Sequence, residues 1–131
     1  MKHLYLVLSA LLCGLTGCSS LQKQDGYESL DVEAFSRAIA EPSVVCLDVR
    51  TAEEYAQGHL PNALNIDVTN DDFAKQAKAR LRRDAVIAVY CRSGKRSKKA
   101  AALLTGKGFK VVELATGFVG WTDAGKETAT N

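Results

Sequence analysis

At 131 residues, 47% hydrophobic and 24% charged, the chain has room for one domain with a buried core and is too apolar for a disordered segment. A formal charge of +2 excludes the strongly basic surface that nucleic acid requires. Its two histidines and four cysteines include no Cys/His pair at ligand spacing, so no metal and no cofactor is expected.

In chain order, Lys2 and His3 precede an apolar run of fourteen residues, Leu4 to Gly17. A membrane-spanning helix needs about 20 residues and a signal-peptide core roughly 7–15, so residues 1–17 are predicted to be an export signal. Leu15-Thr16-Gly17-Cys18 resembles the bacterial lipobox. That resemblance implies that Cys18 is lipidated and becomes the first mature residue, with more than one acyl chain for stable anchoring. The alternative is a conventionally cleaved signal with an incidental cysteine. Ser19 after the cysteine resembles lipoproteins sent to the outer membrane of Gram-negative cells. The expected location is therefore the cell envelope, facing the periplasm. Residues 18–27 comprise this cysteine and a polar tether without periodicity.

Residues 28–125 form the expected domain. Leu30 to Ala40 has apolar residues at 32, 35 and 39, with Asp31 suited to the cap and Leu30 placed to staple onto Phe35, which predicts an amphipathic helix. Val44 to Asp48 reads as a strand buried on both faces, with Cys46 a small buried hydrophobe. Thr51-Ala52-Glu53-Glu54 is a capping box, which assigns Glu53 and Glu54 to structure rather than acid–base chemistry. His59 lies in the turn Gly58-His59-Leu60-Pro61; a cysteine–histidine enzyme would use it as a base, but no Asp or Asn orienter is evident and the structural role is preferred. A short strand over Asn65–Val68 and a helix over Asn70–Leu81, capped by Asn70 or Asp71, follow.

Val86 to Tyr90 is a β-branched apolar strand, followed by the loop Cys91-Arg92-Ser93-Gly94-Lys95-Arg96 and a helical segment from Ser97 that closes at Gly106 and Gly108. Lys110–Leu114 is another strand, and Gly117–Thr122 a short helix whose Trp121 anchors the core. From Asp123 onward, through the polar tail 126–131, the chain is expected to fray. Strands alternating with helices predict an α/β fold, a central parallel sheet with helices on both faces and ligands beyond the strands' carboxyl ends.

Cys91 occupies one of those ends. A thiol between a strand's carboxyl end and a helix's amino end sits among unpaired N–H groups, with Arg92, Lys95, Arg96, Lys98 and Lys99 close behind it. Both features favour the thiolate, and Cys91 is the predicted nucleophile. Gly94 lets the backbone curl so that N–H groups turn toward an anion or a second sulfur on Cys91. With Cys13 lost with the signal, Cys18 lipidated, Cys46 buried and Cys91 reactive, no disulfide is implied.

The loop Cys91-Arg92-Ser93-Gly94-Lys95-Arg96-Ser97 resembles the active-site loop of single-domain rhodaneses, the thiosulfate sulfurtransferase family. Asp48-Val49-Arg50 with Glu54-Tyr55, Gly58-His59-Leu60-Pro61-Asn62-Ala63, and Gly117 with Gly120-Trp121 resemble its other motifs, with Asn62 where Gly is usual. The resemblance implies the rhodanese-like three-layer fold and a sulfurtransferase that carries sulfane sulfur as a Cys91 persulfide. Its donor would be thiosulfate or a similar anion, and its acceptor a thiol, cyanide or a protein cysteine. Ser93, Gly94 and Ser97 would stabilise the persulfide, and Arg92, Lys95 and Arg96 would hold the donor. Cysteine phosphatases and arsenate reductases place arginine six residues after the cysteine; Arg96 is five after Cys91, which makes those readings less favoured. The remaining alternative is a non-enzymatic persulfide or redox module that docks one envelope partner through the same cationic rim.

Overall fold

The computed structural model describes residues 23–24 and 26–130. The export signal and the Cys18 lipidation site lie outside the described residues, as does all of the tether except 23–24 and 26–27. Among the described residues, six strands and five helices follow one another: β1 (Lys23–Gln24), β2 (Tyr27–Leu30), α1 (Val32–Ile39), β3 (Val44–Asp48), α2 (Ala52–Gln57), β4 (Leu64–Asn65), α3 (Phe73–Arg80), β5 (Val86–Tyr90), α4 (Lys95–Gly106), β6 (Lys110–Leu114) and α5 (Gly117–Asp123). They make one sheet of order β1-β2-β6-β5-β3-β4. From β2 to β4 every pairing is parallel, and only the two-residue β1 runs antiparallel, against β2.

The strands' unbroken apolar runs follow from burial on both faces. Successive side chains alternate between two cores. Leu47, Val49, Ile87, Val89, Cys91 and Val111 join Phe73, Ala77, Ala100, Ala101 and Leu104 from α3 and α4. On the other face Cys46, Ala88, Tyr90 and Leu114 join Phe35, Leu60 and Trp121. Asp31 caps α1 by accepting from Ala34 N, and Thr51 and Glu54 form the expected capping box on α2. Asn62 takes φ +65°, the left-handed region that asparagine tolerates better than most residues.

Several expectations differ from the structure. The strand expected over Asn65–Val68 is the pair Leu64–Asn65. Beyond it Ile66 N and Val68 N still bond to Asp48 O and Val49 O, but the Asp67 carboxylate accepts from Thr69 N and Oγ1 and turns the chain away. The helix expected from Asn70 begins at Phe73, with neither Asn70 nor Asp71 as cap. Asn70 instead accepts from Phe73 N in a turn through its backbone oxygen. Helix α4 starts at Lys95, two residues before the expected Ser97, because Gly94 at φ +106° ends the loop. The tail is not frayed: Ala129 exchanges both backbone hydrogen bonds with His59, Glu127 O accepts from Trp121 Nε1, and Lys126 pairs with Glu33. Backbone bonding and an indole donor hold it where composition predicted freedom.

Candidate active site

Strand β5 ends at Tyr90, and the following Cys91 turns its sulfur toward the start of α4. Gly94 N donates to Sγ at 3.2 Å, and Ser97 Oγ lies 3.5 Å from it. Cys91 is buried, with 1% of its surface exposed. The loop is also held from behind: Phe118 N and Val119 N in the first turn of α5 donate to Cys91 O and Arg92 O at 2.8 and 3.0 Å. Two glycines permit these approaches. A Cβ on Gly94 would run into Ala115 O, and one on Gly117 into Arg92 O and Cys91 O, both at positive φ. The loop is thus set by backbone contacts from β5, α4 and α5 together.

The loop's cations have different fates. Arg92, Lys95 and Lys99 are exposed, as is Ser93. Arg96 is not a free anion receptor: its guanidinium makes a two-point pair with Glu54, Nη1 to Oε1 at 2.8 Å and Nη2 to Oε2 at 3.0 Å. The Arg96 hydrogen bonds, aided by Thr51, hold the Glu54 carboxyl down to about 2 against its desolvation, and Glu54 in turn raises Arg96. Glu54 therefore joins the helix cap to the loop, a second role that its capping-box position does not disclose. Lys98 Nζ reaches Glu113 Oε2 at 3.2 Å.

A buried polar group supports the neighbouring wall. The Asp48 carboxylate accepts from Arg50 N, Nε and Nη2 and from Tyr90 OH, while Arg50 Nη2 also donates to Gly58 O. Burial and the adjacent Asp48 push the Tyr90 hydroxyl far above its ordinary range, so it stays protonated, and it accepts from Leu60 N at 3.0 Å. Arg50 and Arg92, with Glu54, Gln57, Gly58 and Phe118, line an open pocket of about 180 Å³. Two of its lining residues are tied to Cys91, Arg92 as the next residue in the chain and Phe118 through its N–H to Cys91 O. His59 is buried with its ring stacked on Tyr55 at 3.8 Å and Nδ1 2.9 Å from Tyr55 O, a role in holding the turn. Cys46 is buried and its thiol is pushed well up, first by desolvation and then by Asp48, so it is an inert packing residue. Among the described residues no cluster of His, Cys, Asp and Glu is arranged to hold a metal.

Of the predicted site residues, the structure brings Cys91, Gly94 and Ser97 into contact and leaves Arg92, Ser93 and Lys95 at the rim. Sequence reading missed Glu113, which is completely buried and accepts from Ser97 Oγ and Ser29 Oγ, each at 2.6 Å. Its signal was present: a carboxylate between Val112 and Leu114 in a strand that packs on both faces.

A family model for the rhodanese-like domain matches residues 31–124. A protein named sulfurtransferase from Allochromatium vinosum is 33% identical over 98 residues, covering 73% of this chain and 89% of that protein. Thiosulfate sulfurtransferase 16 of Arabidopsis thaliana is 36% identical over 92 residues, covering 63% of this chain and 77% of its own. Against two longer plant relatives, 36% and 34% identical, the chain spans about half, 53% and 54%, of their lengths. Among solved structures, a rhodanese-related protein from Thermoplasma volcanium superimposes with a TM-score of 0.71 at 27% identity, covering 79% of this chain and 98% of that one.

Proposed function

The chain belongs to the rhodanese-like domain family, and from that premise we propose that it is a sulfurtransferase in which Cys91 carries the sulfur. The observation that carries the proposal is the sulfur's position, between Gly94 N–H and the Ser97 hydroxyl at the amino end of α4. In the reaction, the Cys91 thiolate attacks the outer sulfur of thiosulfate or a similar anionic donor. The sulfur–sulfur bond of the donor breaks, sulfite leaves with the electron pair, and Cys91 holds a persulfide. Gly94 N–H and the amino end of the helix stabilise that anion without reorganising. Arg92 and Lys95, exposed and without ion-pair partners among the described residues, draw the dianion in, while Arg96 is committed to Glu54. Arg92 also lines the adjoining pocket. An acceptor thiol, cyanide or protein cysteine then takes the terminal sulfur, which gives two-step kinetics.

The same proposal places the enzyme in the cell envelope, with residues 1–17 removed and Cys18 lipidated. Mass spectrometry of the mature amino terminus tests that part. The chemistry is tested by incubating the purified protein with thiosulfate and cyanide and following thiocyanate, together with the mass of Cys91 after thiosulfate alone. One added sulfur on Cys91 and loss of turnover in Cys91→Ser are expected. Wild-type protein without turnover, or an active Cys91→Ser variant, refutes the reading.

A further inference from the structure

We propose that Glu113 is a positioning residue that takes up the Cys91 thiol proton through Ser97, so that the nucleophile is generated by a transfer internal to the fold. The proposal rests on Cys91 as the nucleophile and goes beyond it, by naming where the proton goes. Glu113 is fully buried on β6, on the sheet face that carries Val89 and Val111, and it is fixed at three points. Ser29 Oγ of β2 donates to Oε1 at 2.6 Å, while Ser97 Oγ at 2.6 Å and Lys98 Nζ at 3.2 Å, both of α4, reach Oε2.

Ser97 has one hydroxyl proton and three acceptors within reach: Glu113 Oε2 at 2.6 Å, Gly94 O at 3.2 Å and Cys91 Sγ at 3.5 Å. The charged and nearest acceptor takes it. An oxygen lone pair of Ser97 is then left for the sulfur, and the Cys91 S–H donates to it. The order is Cys91 S–H to Ser97 O–H to Glu113.

A concerted shift along this line balances. The S–H bond breaks with its electron pair staying on sulfur, that proton bonds to Ser97 Oγ, and the original Ser97 proton passes to Glu113 Oε2. The products are a thiolate, a neutral carboxylic acid and a serine hydroxyl that now donates to sulfur. Nothing is oxidised or reduced. The cluster's net charge is unchanged, which avoids adding an uncompensated charge to a buried site. Of the groups facing it, Lys98 Nζ lies 3.2 Å from Glu113 Oε2, Arg96 is paired with Glu54, Ser29 presents a hydroxyl, and β5 presents Val89 beside Glu113.

The test is the pH profile of iodoacetamide alkylation of Cys91, read by peptide mass, which needs no sulfur donor and so stands apart from the sulfurtransferase assay. Sharing one proton between two coupled groups puts part of the population in the thiolate form before the second proton leaves. Wild type should therefore show a shelf, a stretch of pH over which the rate changes less than about threefold per unit. Glu113→Gln should lose the shelf and fall about tenfold per pH unit, as a single ionisation does. Ser97→Ala should lower it about tenfold through loss of the hydrogen bond to the thiolate, while Ser29→Ala, which loosens Glu113 off the line to sulfur, should keep it. A wild-type profile without a shelf overturns the proposal even if Glu113→Gln fails to fold. A shelf that survives Glu113→Gln, or Ser29→Ala and Ser97→Ala behaving alike, also overturns it, because a merely structural carboxylate predicts those results.

Discussion

The pair between Glu54 and Arg96 is the most quantitative element of the site. Glu54→Gln keeps the capping-box hydrogen bonds, which glutamine also makes, and removes the charge and one of the two acceptors that hold Arg96. In the native protein the Glu54 carboxyl is held at about 2 against an ordinary 4.5, first by the Arg96 hydrogen bonds. That difference corresponds to about 3 kcal/mol of linkage. Because Glu54 remains 26% exposed, solvent screening reduces the contribution to about 1–2 kcal/mol. The native carboxyl is the more acidic, so the stabilisation is fully present above the unfolded value near 4.5 and is lost as pH falls toward about 2. Thermal melts should therefore show Glu54→Gln lower by roughly 4–15 °C at neutral pH, with the gap from wild type closing between pH 4.5 and about 2. A gap that is constant across that interval, or absent at neutral pH, refutes the assignment of the acidity to Arg96. Donor KM should change little if Arg96 serves mainly to hold the loop.

Further outcomes follow from other contacts. Asp48→Asn leaves the buried Arg50 without its counter-charge and should cost about 3–5 kcal/mol in urea unfolding; a loss under about 1 kcal/mol would show that the network is not what holds the β3 end. Gly117→Ala drives a methyl into the Arg92 and Cys91 carbonyls at φ +65°, and should lower turnover with thiosulfate at least about tenfold through displacement of the loop. Unchanged turnover would mean that the loop is not set by α5. Removal of residues 127–131 deletes the Ala129 pairing with His59 and the acceptor of Trp121 Nε1, and should destabilise the domain by about 2–4 kcal/mol. Measured stability equal to wild type would contradict docking of the tail.

Much of this protein is legible without its fold. The strands over 44–48, 86–90 and 110–114 and the capped helix after Asp31 stand where apolar runs and end signals put them, because those signals act over a few residues. The strand, loop and helix around Cys91 follow from β-branched residues, one glycine and an alanine-rich segment, so the location of the sulfur was set locally. Some failures were marginal and local: β4 is shorter than its apolar pattern, α3 begins later than its cap signals, and α4 begins earlier because Gly94 takes a left-handed conformation that periodicity does not reveal; the docked tail was a larger miss, made by contacts distant in sequence.

The assignment of partners belongs to the tertiary structure. Arg96 meets Glu54 across 42 residues, Ser29 meets Glu113 across 84, and Ala129 pairs with His59. No local pattern distinguishes a cation that is free to bind substrate from one already bound to a carboxylate. Nor does one tell a strand glutamate that faces water from one beneath the active loop. Composition and spacing determine which elements form and where the thiol lies along the chain. The order in which the sheet brings β2, β6 and β5 together decides which charges remain available to it, because electrostatic neighbours depend on distance in space and chain position does not report it.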